Sequence, residues 1–129
     1  EVQDEHKQTE GDPKVKSRIR QKQRQFSMRR MMQDVPKADV VITNPTHLAI
    51  AIKYEAKQMA APQVLAKGEG YIAAKIKEIA TEHQITLVEN KPLARTIYQT
   101  VEIGEFIPPN LYQAVAEVLA FVYKLRQKR

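Results

Sequence analysis

Four consecutive residues, Asn44-Pro45-Thr46-His47, equip the chain to react with itself. An asparagine usually deamidates when the next backbone nitrogen attacks its side-chain amide, but Pro45 carries no N–H and blocks that route. The reverse attack stays open. In it the Asn44 side-chain nitrogen adds to the Asn44 backbone carbonyl, closes a five-membered succinimide and expels the proline nitrogen, cutting the chain. An amide nitrogen is a poor nucleophile. Well-oriented intramolecular attack, however, supplies effective molarities on the order of 10⁵ to 10⁸ M, or about 7 to 11 kcal/mol of barrier. The step also needs donors for the developing oxyanion and a proton route to the leaving nitrogen. His47 is the nearest titratable side chain, and the Thr46 hydroxyl could orient a water or fix the turn. Without chemistry, the same residues read as an ordinary turn, because Asn-Pro is a common turn starter.

Other chemistries fit the sequence poorly. Cysteine is absent, which removes disulfide scaffolds, thiolate metal cages and cysteine nucleophiles. The two serines, Ser17 and Ser27, both lie in a polar basic stretch outside the expected core, which argues against a Ser-His-Asp arrangement. His6, His47 and His83 are isolated, with no HxxxH or HxH spacing, so neither a metal nor a cofactor is expected. One motif competes. Gly68-Glu69-Gly70-Tyr71-Ile72-Ala73 fits GxGxxA, with Glu89 about 20 residues on, the pattern of a dinucleotide-binding βαβ unit. Glu69 would place a carboxylate beside the phosphates, the preceding strand reads as short, and 129 residues leave no room for a substrate domain. A tight turn into a helix is the plainer reading.

The elements that must position these residues follow from periodicity and punctuation. Asp12-Pro13 reads as an N-cap with proline at the first helical position, opening a helix from residue 14 to about 33. Its apolar positions, Val15, Ile19, Phe26 and a Met28/Met31/Met32 cluster, are sparse, so its first turns should project outward. Residues 38–43 and 47–54 are rich in β-branched side chains and read as two strands around Asn44-Pro45-Thr46. A short third strand is expected at 63–66, a helix at 71–82, a fourth strand at 85–89, and helices at 91–100 and 111–126. The expected fold is α/β: a small central sheet of about four strands flanked by about four helices, with a long basic N-terminal helix. Residues 1–36 read as a tail and linker helix, and 37–129 as the compact domain.

The net charge of +6 is local. Residues 14–30 carry eight Lys and Arg with no acid, and the rest of the chain sums to −2. A nucleic-acid-binding helix is one reading, since eight cations could neutralise several phosphates. Against it, Phe26 is the lone aromatic there and the remainder is net acidic. No apolar run approaches the ~18 residues of a membrane span, and no signal-peptide pattern is visible in the first residues given.

The run from Val35 to His47 (VPKADVVITNPTH), with Ala66-Lys67-Gly68, Pro92-Leu93-Ala94-Arg95 and Ile107-Pro108-Pro109-Asn110-Leu111-Tyr112, closely resembles the cytoplasmic domains of the FlhB/YscU/SpaS/EscU family of type III secretion export switch proteins. Val101 to Gly104 and Ala114 to Leu119 resemble the flagellar branch. The resemblance covers essentially the whole chain. It implies an integral protein of the bacterial inner membrane, with transmembrane helices before Glu1 and this chain on the cytoplasmic face. It further implies intramolecular autoproteolysis, without turnover on other substrates. Asn44 would cyclise, Pro45 would leave, Thr46 and His47 would complete the loop in a supporting role, and the two pieces would stay associated. Cleavage would let the export gate change from rod and hook substrates to filament substrates. The implied partners are the other export gate subunits, a hook-length control protein, rod and hook export substrates, and the chain's own cleaved fragment. A docking patch for those substrates would map to Ala61 and Pro62, with Ala116 and Leu119 nearby, although the latter pair also reads as ordinary core contacts. In that setting residues 14–30 would link membrane and switch domain by lying against anionic headgroups, in preference to nucleic acid.

Overall fold

A computed structural model describes residues 12–127. It contains four α-helices, two short 3₁₀ helices and four strands among those residues. The chain divides into two compact units, residues 1–31 and 32–129.

Helix α1, Pro13–Asp34, begins as its sequence predicts, and its last three residues fall in the second unit. The Asp12 side chain accepts the Lys14 N–H at 2.9 Å, which satisfies one of the donors orphaned at the helix start. Ile19 and Phe26 are exposed, as expected of a helix with so few apolar positions.

The second unit is built on a four-stranded mixed sheet in the order β3-β2-β1-β4. After a 3₁₀ turn at Val35–Lys37 the chain enters β1, Val40–Asn44, and returns antiparallel as β2, Leu48–Lys53. Strand β3, Gln63–Glu69, extends the sheet antiparallel to β2, and β4, Thr86–Glu89, lies parallel to β1. Helix α2, Gly70–Glu82, makes the crossover between β3 and β4. The register puts Val40, Ile42, Leu48, Ile50 and Ile52 on one face, where they form the main core with α3, Lys91–Thr100, and α4, Tyr112–Gln127. Val41, Ala49, Ala51 and Ala66 occupy the other face and are fully buried. Helix α2 packs on that side through Ala73, Ile76 and Ala80. Small residues on both partners let helix and sheet approach closely.

Several element ends differ from the sequence expectation for identifiable reasons. The 3₁₀ turn delays β1 from residue 38 to 40, and pairing with Leu48 draws Asn44 into the strand. The third strand is the longest, not a short one at 63–66. Lys67, Gly68 and Glu69 pair with Ile50, Ala49 and Leu48, so a long partner extends a segment whose own composition is weakly β-forming, with an irregularity opposite Ala51/Ile52. The last helix starts at Tyr112 because a second 3₁₀ turn takes up Pro109–Leu111.

Candidate functional site

Strand β1 ends on Asn44, and Pro45, Thr46 and His47 make the turn into β2. The three turn residues are exposed, whereas Asn44 is only 5% exposed. By register Asn44 stands on the face of Val40 and Ile42, opposite Leu48. The carbonyl of Thr43, the residue before it, accepts the Asn90 N–H at 2.9 Å, tying the end of β1 to the start of α3. Asn90 in turn caps that helix by accepting the Leu93 N–H.

Three of the backbone carbonyls of residues 44–47, those of Asn44, Pro45 and His47, have a donor. The His47 N–H reaches the Asn44 oxygen at 3.0 Å, and the Gly70 N–H reaches the His47 oxygen at 3.0 Å. The Lys77 ammonium reaches the Pro45 oxygen at 3.0 Å. The Asn44 oxygen is the atom on which negative charge would develop if the Asn44 side chain attacked its own carbonyl. A backbone N–H is therefore already aimed at the developing oxyanion. The sequence offered His47 as the nearest titratable side chain; the hydrogen bond to the Asn44 oxygen comes from its main chain, and His47 is exposed on the turn.

The competing glycine motif proves to belong to the same place. Gly68 and Glu69 are the last residues of β3, not a phosphate-cradling turn, and Gly70 alone begins α2. Gly70 has φ +56°, which favours glycine, and its N–H is committed to His47. A Cβ on Gly68 would overlap the Ile72 side chain. Gly68 serves the close approach of β3 and α2, Gly70 supplies the left-handed backbone between β3 and α2, and the amide a pyrophosphate would require at Gly70 is occupied. Sequence reasoning had no signal for Lys77. It did single out Gly70, but for a different chemistry.

Ala61, Pro62, Ala116 and Leu119 come together. With Tyr54 and Tyr123 they line an apolar groove of about 320 Å³. Leu119 does double service, being buried in the main core and forming the groove floor, while Ala116 is exposed. Burial and the Asp39 carboxylate push the Tyr123 phenol above its usual value. Among the described residues no group of His, Asp and Glu is arranged to hold a metal, and no helix is long and apolar enough to cross a membrane.

A small mixed sheet with a buried asparagine at the lip of an Asn-Pro turn defines a class, and comparison with known proteins gives it a family. The model of the FlhB HrpN YscU SpaS family matches residues 1–122, and this chain belongs to that family. It is 55% identical over 99% of its length to the flagellar biosynthetic protein FlhB of Bacillus subtilis, and 54% identical over its whole length to that of Salmonella typhimurium. It spans about a third of those relatives, 36% and 34% respectively. Among solved structures it resembles the cytoplasmic domain of FlhB from Shewanella putrefaciens, with 50% identity, a TM-score of 0.75 and 78% of each chain covered. It also resembles the PscU C-terminal domain, with 36% identity, a TM-score of 0.58, and 60% of this chain and 99% of that one covered.

Proposed function

We propose that this chain is the cytoplasmic switch domain of a flagellar type III export component that cuts itself between Asn44 and Pro45. One observation carries the reading: Asn44 precedes a proline in a tight turn, and the His47 N–H already binds the carbonyl oxygen that would become the oxyanion. The Asn44 side-chain nitrogen bonds to the Asn44 carbonyl carbon, and the bond from that carbon to the Pro45 nitrogen breaks. A hydrogen from the amide ends on the proline nitrogen, relayed by water, and a second water later opens the succinimide.

The sheet topology supports continued association of the pieces. Strand β1 lies between β2 and β4, and Val40, Val41 and Ile42 have no exposed surface. After a cut at Asn44 the first piece keeps β1 in the middle of a sheet whose other strands belong to the second. The pieces would each carry +3, so strand pairing and burial, not charge attraction, hold them.

Cleavage frees the turn to rearrange, and that change turns the export gate from rod and hook substrates to filament substrates in response to a hook-length control protein. Export substrates dock in the groove of Ala61, Pro62, Ala116 and Leu119, whose apolar lining suits a short apolar peptide segment. Residues 1–36 form the link to inner-membrane helices preceding this chain, with the cations of 14–30 lying on anionic headgroups at the cytoplasmic face. The test is the intact mass of the purified chain after denaturation. Pieces of 44 and 85 residues are expected from the wild type and a single species from Asn44→Ala. A wild type that stays whole under all conditions overturns the mechanism.

A further inference from the structure

The proposed cleavage assigns no role to Lys77, the one charged side chain among the described residues that hydrogen-bonds to the turn. Lys77 is half-buried on α2, next to the buried Ile76, and its ammonium donates to the Pro45 carbonyl at 3.0 Å. Its neighbour on the same helix, Lys75, pairs with Glu78. Lys77 makes no ion pair among the described residues, and the Pro45 carbonyl is its one hydrogen-bond acceptor there. Ordering a lysine side chain costs about 1.5 to 2 kcal/mol of rotamer freedom. A charged donor held on a single backbone carbonyl, next to the bond that is to break, points to a task at that bond.

We propose that Lys77 is a positioning residue for cleavage at Asn44-Pro45, an inference that rests on the self-cleavage reading above. Two effects combine. The first is geometric. Helix α2 holds the turn twice, through Gly70 at the His47 carbonyl and Lys77 at the Pro45 carbonyl. Holding both peptide units fixes the His47 N–H on the Asn44 oxygen. Without Lys77 the Pro45 peptide is free to rotate, and the oxyanion donor moves with it. The second is electrostatic. As the Asn44 nitrogen attacks, charge grows on an oxygen one peptide unit from the ammonium. The attraction is thus stronger in the transition state than in the ground state, the condition for acceleration. Lys77 comes from the helix on the sheet face opposite the register face of Asn44, so it can hold the turn without taking the attacking carboxamide as its partner.

The experiment compares cleavage rates of wild type, Lys77→Met and Lys77→Arg by intact mass over time, each with its thermal midpoint. Methionine keeps the apolar stem without charge or donor, and arginine keeps both. Cleavage of Lys77→Met is expected to be roughly 10-fold slower, the value of a charge-assisted hydrogen bond at its lower end. Lys77→Arg should recover most of the rate, and all midpoints should agree within about 2 °C. A Met variant as fast as wild type, an Arg variant as slow as Met, or a slowing that merely follows a lowered midpoint overturns the proposal. A wild type that never cleaves overturns the cleavage reading and this inference with it, so the two failures are told apart by the wild-type lane alone.

Discussion

The Asn44–His47 turn and the Gly68–Gly70 junction lie side by side at one end of the sheet, joined by the bond from Gly70 to His47, yet they are built on opposite principles. In the turn the proposed chemistry belongs to side chains, and the backbone is held by its own His47 N–H and, from outside, by the Gly70 and Lys77 donors. Three of its four residues are exposed, so little packing depends on them. At the junction the absence of side chains is what matters. A Cβ at Gly68 has no room, and a Cβ at Gly70 would strain a positive φ. A turn can therefore keep its own side chains free when neighbouring residues, here the Gly70 backbone and the Lys77 side chain, hold its carbonyls. Substitutions in the turn should change cleavage and leave stability nearly alone. Substitutions at the junction should change stability first and cleavage only as a consequence.

The largest effect expected is total. Asn44→Ala should show no cleavage by mass spectrometry while its denaturation midpoint stays near that of wild type; a large loss of stability would mean that the turn and the junction do not divide their tasks. Gly68→Ala comes next, with a loss of about 1 to 3 kcal/mol in urea unfolding from overpacking against Ile72. Pairing it with Ile72→Ala in a double-mutant cycle should recover part of that loss, since the two positions share one contact. Gly70→Ala should lose about 1 to 2 kcal/mol through the left-handed backbone alone, with no rescue from Ile72→Ala. The smallest effect separates ring from backbone at His47. His47→Ala keeps the N–H on the Asn44 oxygen, so its cleavage rate should fall by far less than the roughly 100-fold or more that loss of a general acid or base brings. A fall of that size would give the imidazole a direct part in proton transfer.

The groove offers a third term. It draws on Ala61 and Pro62 before β3 and on Ala116 and Leu119 of α4, none of which touches the turn by hydrogen bond. Ala116→Glu puts a carboxylate on its exposed rim, and should weaken binding of an apolar export-substrate peptide while leaving the cleavage rate unchanged. Equal loss of both would tie docking to the cut.

Much of this molecule is decided locally. An Asn-Pro bond has its reactivity written into two residues, since Pro45 lacks the one nitrogen that competes with chain cleavage. Asp12 is a helix cap by composition, and the β-branched runs at 38–43 and 47–54 choose strands because crowded Cβ atoms pack well on a pleated surface. The eight uncompensated cations of residues 14–30 likewise need no fold to be seen. What the chain could not reveal locally are the contacts that cross it. Strand β3 is long because β2 is its partner, and Gly70 is a turn anchor because β3 delivers it beside His47. Lys77 reaches Pro45 across 32 positions of sequence, a pairing that no spacing rule encodes. A residue's intrinsic chemistry travels with its side chain, but the hydrogen bonds that aim it depend on which distant backbone the sheet brings within 3 Å, and only folding settles that.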